Sequence, residues 1–150
     1  MVDRRMPPPH ICGKTVLDVG SGARPFGNIQ VDLPPEESDK HHQGKSVMPT
    51  MFADAHNLPL RGGVVDRVLL LHIIEHLEAP LYALRDVRRV LKPFGSVRIE
   101  IPNPQKWAHE RKEHLYSWHP DTFHNIVRVA GFIRPQYHAD TRNHSIEAVK

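Results

Sequence analysis

Cysteine is nearly absent from this chain, with Cys12 the one example among 150 residues. A lone cysteine excludes a disulfide within the chain and is typical of a reducing compartment. Long apolar runs are also lacking, because none approaches the roughly 18 residues of a membrane-spanning helix. The N-terminal segment "MVDRRMPPPHICGK" has no apolar stretch like that of a secretory signal. We therefore expect a cytoplasmic protein without a membrane segment.

An excess of one charge is lacking too, since 20 Lys and Arg stand against 17 Asp and Glu, for a net charge of +3. This balance favours anionic partners only weakly. The densest basic run comprises Arg85, Arg88, Arg89 and Lys92, and Asp86 interrupts it. The run is either a solvated helix face or a nucleic-acid footprint, and the sequence leaves both interpretations open.

The length is that of one domain, which at this size buries roughly 70% of the surface its unfolded chain exposes. Residues 1–13, with Pro7, Pro8 and Pro9, are predicted to form a flexible arm. The remaining residues, 14–150, are predicted to form the domain, and they contain no internal repeat.

The pattern of apolar residues predicts alternating strands and helices. The predicted strands are "KTVLDVG", "NIQVDL", residues 47–53, "VVDRVLLL", "SVRIEIP", "IRPQYHAD" and "HSIEAVK". Helical patterns run from Ile73 through "LYALRDVRRVLK" and over "PDTFHNIVRVAGF". The order predicts an α/β fold: a Rossmann-like, open, mostly parallel seven-stranded sheet with an antiparallel C-terminal strand pair. The first crossover is shortened, because residues 23–28 are too few for a full helix.

The string H-x-x-E-H occurs at His72, Glu75 and His76 within "LLLHIIEHL". It is the signature of inverted zinc proteases, in which two histidines on one helix face bind one ion. Here His72 directly follows a strand, so the helix begins at or after it and the imidazoles need not share a face. A third ligand with a recognisable spacing is also lacking, and we expect no metal.

Residues typical of nucleotide sites follow several predicted strands. Gly20 and Gly22 end the first strand, Asp32 ends the second and His72 ends the fourth. Glycines allow a ligand to approach the backbone closely, and an acid at the next strand end can accept hydrogen bonds from ribose hydroxyls. The third glycine of G-x-G-x-x-G is replaced by Pro25, which disfavours a nicotinamide cofactor.

Six blocks in this order carry a family resemblance: "VLDVGSG", "VDL", "ADAHNLPL", "VVDRVLLLHIIEHL", "LRDVRRVLKPFGSVRIEIPN" and "HPDTFHNIVRVAGF". Together they resemble the class I S-adenosylmethionine-dependent methyltransferases, with the greatest likeness to the small methyltransferase type 11 group. The resemblance extends from Thr15 to Lys150. It implies that S-adenosylmethionine is the cofactor and that a methyl group is transferred to an acceptor.

The resemblance also implies roles for individual residues. Asp18, Gly20 and Gly22 are expected around the methionine part, Asp32 at the ribose hydroxyls, Asp54 with Ala55 at the adenine, and His72 at the methyl-transfer face; Leu33 and Leu71 complete the expected cofactor contacts. For each acid the alternative is a turn or helix cap, above all for Asp18, which can cap backbone amides. His76 is expected to pack or cap.

Two departures from the family pattern bear on the site. Arg24 stands where the family's turn has its last glycine, and it is either a solvent-facing side chain or a partner of the cofactor's carboxylate. The helices that many family members place before the first strand are missing. The acceptor site is therefore expected to lack a lid or to borrow one from a second subunit, as in a homodimer.

The leading expectation is methyl transfer to an unidentified acceptor, a small molecule in preference to a macromolecule. His72 is a candidate base, because an unperturbed imidazole titrates near pH 6.5. Two alternatives remain: a non-catalytic or regulatory module that keeps the fold and binds the cofactor, and a nucleic-acid methyltransferase, which only the weak positive charge supports.

Overall fold

The computed structural model of the chain describes residues 13–22, 25–34, 48–103 and 114–150. The strands in these ranges are β1 (Val16–Val19), β2 (Ile29–Asp32), β3 (Met51–Phe52), β4 (Val65–Leu71), β5 (Leu91–Pro102), β6 (Ile133–Ala139) and β7 (Asn143–Val149). The helices are α1 (Pro80–Val90) and α2 (Pro120–Val129), preceded by a short 3₁₀ helix at Ile74–His76. Arg24 and the predicted arm, apart from Gly13, lie outside the described residues.

The strands join one sheet in the order β3-β2-β1-β4-β5-β7-β6. Neighbours from β3 to β5 are parallel, whereas β7 runs antiparallel to both β5 and β6. The predicted seven-stranded, mostly parallel α/β sheet with an antiparallel C-terminal pair is confirmed. Because β1 to β4 are parallel, their carboxyl ends meet at one edge, where open α/β sheets bind ligands.

One face of the sheet is apolar and is covered by the two helices, which contact each other. Each helix begins at a proline, whose fixed φ favours the first helical position. The buried helix residues are Pro80, Ala83, Leu84, Val87, Val90, Phe123 and Val127. They pack against inward-facing strand residues such as Val97, Ile99 and Ile146, which are fully buried. This layer is the hydrophobic core.

The opposite face carries charged side chains over β4, β5 and β7. Arg67 Nη2 lies 2.8 Å from Glu147 Oε1, and Arg98 Nη1 lies 3.4 Å from the same oxygen. Arg98 Nη2 also lies 3.1 Å from Glu100 Oε2. These residues alternate along β5 with the core residues, because successive strand residues point to opposite faces. Among the described residues, ion pairs line this face of the sheet, whereas the two helices cover the other face.

The crossover from β1 to β2 spans residues 20–28, and its described part forms no helix. Gly27 lies directly on β1: a Cβ there would stand 2.7 Å from the Val16 carbonyl oxygen and 2.8 Å from the Asp18 nitrogen. Only glycine fits so close to another backbone. The crossover therefore lies directly against β1 at Gly27.

The structure divides the region after β4 differently from the predicted continuous helix. The 3₁₀ helix ends at His76, and α1 begins at Pro80 after Ala79, whose φ of −130° is not helical. A residue before proline is disfavoured in the α region, so a helix cannot run through Ala79 into Pro80. At the other end β5 already begins at Leu91, and its register with β4 shifts across the "KPFGS" segment. The third strand is also shorter than predicted.

No helix among the described residues is both long and apolar enough to span a bilayer.

Candidate functional site

The glycine turn after β1 is held against the end of β4. Gly20 donates its amide to the Val31 carbonyl oxygen at 2.8 Å and adopts a φ of +68°. A Cβ on Gly20 would stand 2.7 Å from the Cδ1 atom of Ile73, which follows His72. Gly22 also has a positive φ, of +55°. The turn therefore needs glycine for both its conformation and its packing, and it brings the ends of β1 and β4 together.

Asp18 is buried and caps the crossover. Its Oδ2 accepts hydrogen bonds from the Phe26 amide at 2.6 Å and the Gly27 amide at 3.4 Å. The capping alternative raised by the sequence is thus observed. Its expected cofactor contact stays a prediction, and its clear contribution is to hold the crossover in place.

Asp32 ends β2 with a carboxylate that is only 8% exposed. Its Oδ2 accepts from the Gly22 amide at 2.9 Å, and its Oδ1 accepts from the Leu33 amide at 2.8 Å. These bonds link the acid to the glycine turn across the two strands. Three residues expected at the cofactor, Asp32, Gly22 and Leu33, are therefore joined in one hydrogen-bonded unit.

Asp54 and Ala55 follow β3 at the same edge. The Asp54 side chain is 59% exposed, and its Oδ1 accepts from both the amide and the Nδ1 atom of His56, at 2.8 and 2.6 Å. Burial raises the pKa of Asp54, but these hydrogen bonds and the nearby imidazole outweigh it and leave the pKa below its usual value. Asp54 Oδ2 accepts no hydrogen bond from the described residues, so the exposed carboxylate can meet an amine donor.

His56 was not predicted as a site residue, yet it positions Asp54. The Nε2 atom of His56 accepts a hydrogen bond from the Ala79 amide at 3.2 Å, which requires Nδ1 to carry the proton. The ring therefore connects the acid after β3 to the start of α1. Sequence reasoning had no signal for this role beyond the two-residue spacing from Asp54.

His72 follows Leu71 at the end of β4 in a left-handed conformation, with a φ of +57°. Its amide donates to the Glu100 carbonyl oxygen at 2.8 Å, which fixes the backbone against β5. Left-handed backbone is uncommon for residues other than glycine and is enriched at functional sites. The turn at His72 lies at the carboxyl edge of the sheet, directly before Ile73, whose side chain packs against Gly20.

The imidazole of His72 lies between two carboxylates that sequence reasoning missed. Its Nε2 is 3.2 Å from Glu100 Oε1, and its Nδ1 is 3.7 Å from Glu75 Oε1. Burial alone would lower the pKa of His72, but the hydrogen bond to Glu100 and the charges of Glu100 and Glu75 raise it from 6.5 to about 9. This pKa differs from that of the unperturbed imidazole from which the candidate role as a base was argued, and that role stays a prediction.

Glu100 is the reciprocal partner of His72. Burial raises its pKa, but the hydrogen bond and charge of His72 and the Arg98 guanidinium lower it to a value below the usual range. Glu100 is adjacent to Leu71 in the β4–β5 register. The alternating "VRIEIP" pattern was the available signal, since it placed Glu100 on the same face as Arg98.

The basic run on α1 and the start of β5 is largely engaged within the chain. Arg89 donates to the carbonyl oxygens of Leu60 and Leu58 and pairs with Asp86 at 2.6 Å. Arg88 donates to a carbonyl oxygen after α2, and Lys92 pairs with an aspartate of β4. Arg85 is exposed. A nucleic-acid footprint on this helix would therefore depend mainly on one side chain.

Taken together, the carboxyl edge fits the cofactor that the sequence implies. Two positive-φ glycines follow β1, a buried acid ends β2, an exposed acid follows β3, and a histidine follows β4. These are the groups expected for the methionine, ribose and adenine parts of S-adenosylmethionine and for its methyl-transfer side. The expected contact of Arg24 falls outside the described residues.

Comparison with known proteins gives a family and a fold. A family model described as a methyltransferase domain matches residues 17–99. Among curated proteins, an uncharacterised 37.1 kDa protein of a Streptomyces fradiae transposon is 27% identical over 106 residues, covering 61% of this chain. The chain spans 31% of the length of that relative.

Two solved structures share the fold. An S-adenosylmethionine-dependent methyltransferase from Archaeoglobus fulgidus has a TM-score of 0.69 at 21% identity, with 90% of this chain and 85% of that chain covered. One from Aquifex aeolicus has a TM-score of 0.66 at 22% identity, with 91% and 82% covered. At these identities the likeness establishes the fold.

Proposed function

We propose that this chain, which belongs to the class I S-adenosylmethionine-dependent methyltransferases through its methyltransferase domain, transfers a methyl group to a small-molecule acceptor. S-adenosylmethionine is the cofactor of this family, as the sequence predicted. The observation that carries the proposal is the single hydrogen-bonded unit of Gly22, Asp32 and Leu33, with the exposed Asp54 at the same edge. It supports a nucleoside site built from three strand ends.

The proposed contacts follow the chain order of the strands. Gly20 and Gly22 would approach the methionine part through their backbone, while Asp32 would accept from the ribose hydroxyls. Asp54 would accept from the adenine amine next to Ala55, and Leu71 with His72 would line the transfer side. Asp18 would act mainly through the crossover that it caps. Pairing of Arg24 with the cofactor's carboxylate stays a prediction.

The bound cofactor supplies a methyl group that is already activated on a sulfonium sulfur. The chain's contribution is therefore to hold the acceptor in line and exclude water, which can account for a large part of a rate enhancement. With its pKa raised to about 9 between Glu100 and Glu75, His72 is less suited to accept a proton at neutral pH than an unperturbed imidazole. We accordingly assign it to orientation of the transfer side rather than to base catalysis.

A small molecule is favoured as the acceptor because the main basic run is occupied by contacts within the chain. A macromolecular anion would need several free cations to neutralise its phosphates. A second subunit as a cover for the acceptor, and a cytoplasmic location supported by the scarcity of cysteine, stay proposals.

A non-catalytic module that binds the cofactor is the second candidate. The observation in its favour is that both ring nitrogens of His72 face carboxylates of the chain itself, at 3.2 and 3.7 Å. Such a ring is less available to an acceptor. Conversion of the cofactor to S-adenosylhomocysteine during an acceptor screen would exclude this candidate.

The first experiment is calorimetric titration of the purified chain with S-adenosylmethionine and S-adenosylhomocysteine, repeated on Asp32→Asn. We expect micromolar binding to the wild type and a loss of about 10- to 100-fold in the variant, since a hydrogen bond to a charged group contributes about 1.5–3 kcal/mol. Asp66→Asn is the matched control: Asp66 also accepts a backbone amide, from Thr15 at 2.8 Å, but at the opposite end of the strands.

Unchanged affinity in Asp32→Asn would reject the proposed ribose contact. Equal losses in Asp32→Asn and Asp66→Asn would mean that the effect comes from general loosening of the fold. If the wild type bound neither ligand, the enzymatic proposal would itself be rejected.

A further inference from the structure

A cluster of one glutamate and two histidines lies beside the transfer side and outside the proposed cofactor contacts. A metal-ligating atom from each of Glu75, His76 and His114 lies within 4.8 Å of the other two. We propose that these three residues bind a divalent transition-metal ion, with Zn²⁺ the ion that their chemistry favours. The sequence predicted no metal because no third ligand had a recognisable spacing, and the fold supplies that ligand from a segment far along the chain.

The segment that carries His114 is docked on the 3₁₀ helix by backbone hydrogen bonds. The amides of Leu115 and Tyr116 donate to the Glu75 carbonyl oxygen, at 2.9 and 3.2 Å. The Tyr116 hydroxyl donates to the Glu78 carbonyl oxygen at 3.0 Å. The position of His114 beside Glu75 is therefore fixed by the chain around it and does not depend on its own side chain.

The two histidines meet directly. The ring centroids of His76 and His114 are 4.8 Å apart, with an angle of 76° between the ring planes. His76 shares the 3₁₀ helix with Glu75, and its Nε2 lies 3.9 Å from Glu75 Oε1. Both rings are half-buried, so the ligands converge at the protein surface, where an ion can enter.

Glu75 is the observation that points to a ligand. Its side chain is 1% exposed, yet neither carboxylate oxygen has a hydrogen-bond partner. Two imidazole nitrogens lie near Glu75 Oε1, at 3.7 Å in His72 and 3.9 Å in His76, and both are beyond hydrogen-bond distance. Burying a carboxylate without hydrogen bonds costs several kcal/mol. A coordinated cation would remove that cost.

A second buried polar atom without a hydrogen bond belongs to a residue that lines the same cleft. The buried Nε1 atom of Trp118 has no hydrogen-bond partner, and Trp118 lines a small cleft together with Glu75 and His114. An indole N–H only donates, so it fits an oxygen ligand such as a metal-bound water. Three protein ligands leave one position of a tetrahedral ion for that water.

The ligand types select the ion. Imidazole suits Zn²⁺ and its transition-metal neighbours, whereas Mg²⁺ and Ca²⁺ prefer oxygen ligands. Zinc binds nitrogen and carboxylate oxygen at about 2.0–2.2 Å, so ligand atoms around one ion lie about 3.5 Å apart. Binding requires the outermost atoms, now up to 4.8 Å apart, to approach by about 1 Å. Side-chain rotation of His76 and His114 can provide this movement.

The test uses the full untagged chain, stripped with a chelator, and zinc chloride as the titrant without cofactor. We expect one tight calorimetric site per chain, and a loss of at least about 10-fold in affinity in Glu75→Gln and in His114→Ala. His138→Ala is the matched control, because His138 is exposed on β6 and lies outside the cluster. Cobalt(II) should give visible absorption bands of a tetrahedral site in the wild type and not in Glu75→Gln.

Glu75→Gln preserves the size of the side chain, so it remains informative even if His114→Ala does not fold. Zinc should raise the melting temperature of the wild type and leave that of Glu75→Gln nearly unchanged. Equal zinc affinity in the wild type and Glu75→Gln, or no tight site in the wild type, would overturn the proposal. Because the readout is metal binding alone, either result is independent of the methyltransfer proposal.

Discussion

The two ends of the parallel strands carry the same residue types in different surroundings. At the amino ends Asp66 accepts the Thr15 amide at 2.8 Å and pairs with Lys92 at 2.9 Å, while a Cβ on Gly63 would meet nothing within 4 Å. At the carboxyl ends Asp32 accepts two backbone amides and Gly20 is packed against a side chain. At the amino ends the acid links neighbouring segments of the fold. At the carboxyl ends the acid is hydrogen-bonded to the glycine turn.

The difference shows that residue type alone does not make a site. Both glycines have a positive φ, of +68° at Gly20 and +74° at Gly63. Only Gly20 belongs to a turn whose next members are bonded to an acid on the neighbouring strand. The carboxyl end is therefore preorganised, which lowers the entropy that a bound ligand would otherwise have to lose.

The largest expected effect comes from Gly27, which lies in the crossover from the carboxyl end of β1 to the start of β2. In Gly27→Ala the added Cβ meets backbone atoms of Val16 and Asp18 at 2.7–2.8 Å, which cannot rotate away. We expect a destabilisation of about 3 kcal/mol in urea unfolding, at the upper end of overpacking effects. In the control, Gly62→Ala at the amino ends, the nearest atom would be 3.3 Å away, and the change should cost less than half as much. Similar costs would mean that the crossover does not lie on β1 as described.

A smaller effect is expected from two glycine variants whose comparison distinguishes backbone strain from side-chain packing. Gly20→Ala and Gly63→Ala both place alanine in left-handed backbone, at about 1–2 kcal/mol each. Only Gly20→Ala also displaces Ile73, and with it the neighbouring His72. We expect Gly20→Ala to reduce cofactor affinity by about 10-fold or more in calorimetry and Gly63→Ala to leave it unchanged. Equal cofactor affinities in Gly20→Ala and Gly63→Ala would contradict the proposed difference between the carboxyl and amino ends of the strands.

The smallest effect concerns the acid at the amino ends. Hydrogen bonds from the Thr15 amide and Lys92 hold the pKa of Asp66 below its usual value of 3.8. A group whose pKa is lowered on folding stabilises the protein above the unfolded value and loses that contribution as the pH falls through the folded value. The urea midpoint should therefore fall less between about pH 5 and pH 3 in Asp66→Asn than in the wild type. Parallel curves would show that this pair contributes nothing.

Sequence reasoning succeeded where the signal was local. Strand ends such as Asp32 and His72 were identified because glycines, prolines and acids interrupt apolar runs at those points. Sequence reasoning did not identify interactions between residues that are distant in the chain and adjacent in the fold. The pKa of His72 depends on Glu100, on the neighbouring strand, and its shift to about 9 could not be foreseen from the histidine alone.

Asp18 illustrates an intermediate case. The sequence allowed either a cofactor contact or a cap, because an aspartate before a glycine turn is suited to both. The choice depended on the path of the crossover, which brings the Phe26 and Gly27 amides to its carboxylate. Packing of Gly27 on β1 decides that path.

The sequence by itself determined the order of elements, the family and the residues at the strand ends, because apolar periodicity and turn residues act over short distances. Only the tertiary structure decided the raised pKa of His72 and the grouping of Glu75 with His114. The pKa shift and the grouping both arise because folding buries residues that are distant in the chain and brings them close together. A local sequence pattern does not indicate such contacts.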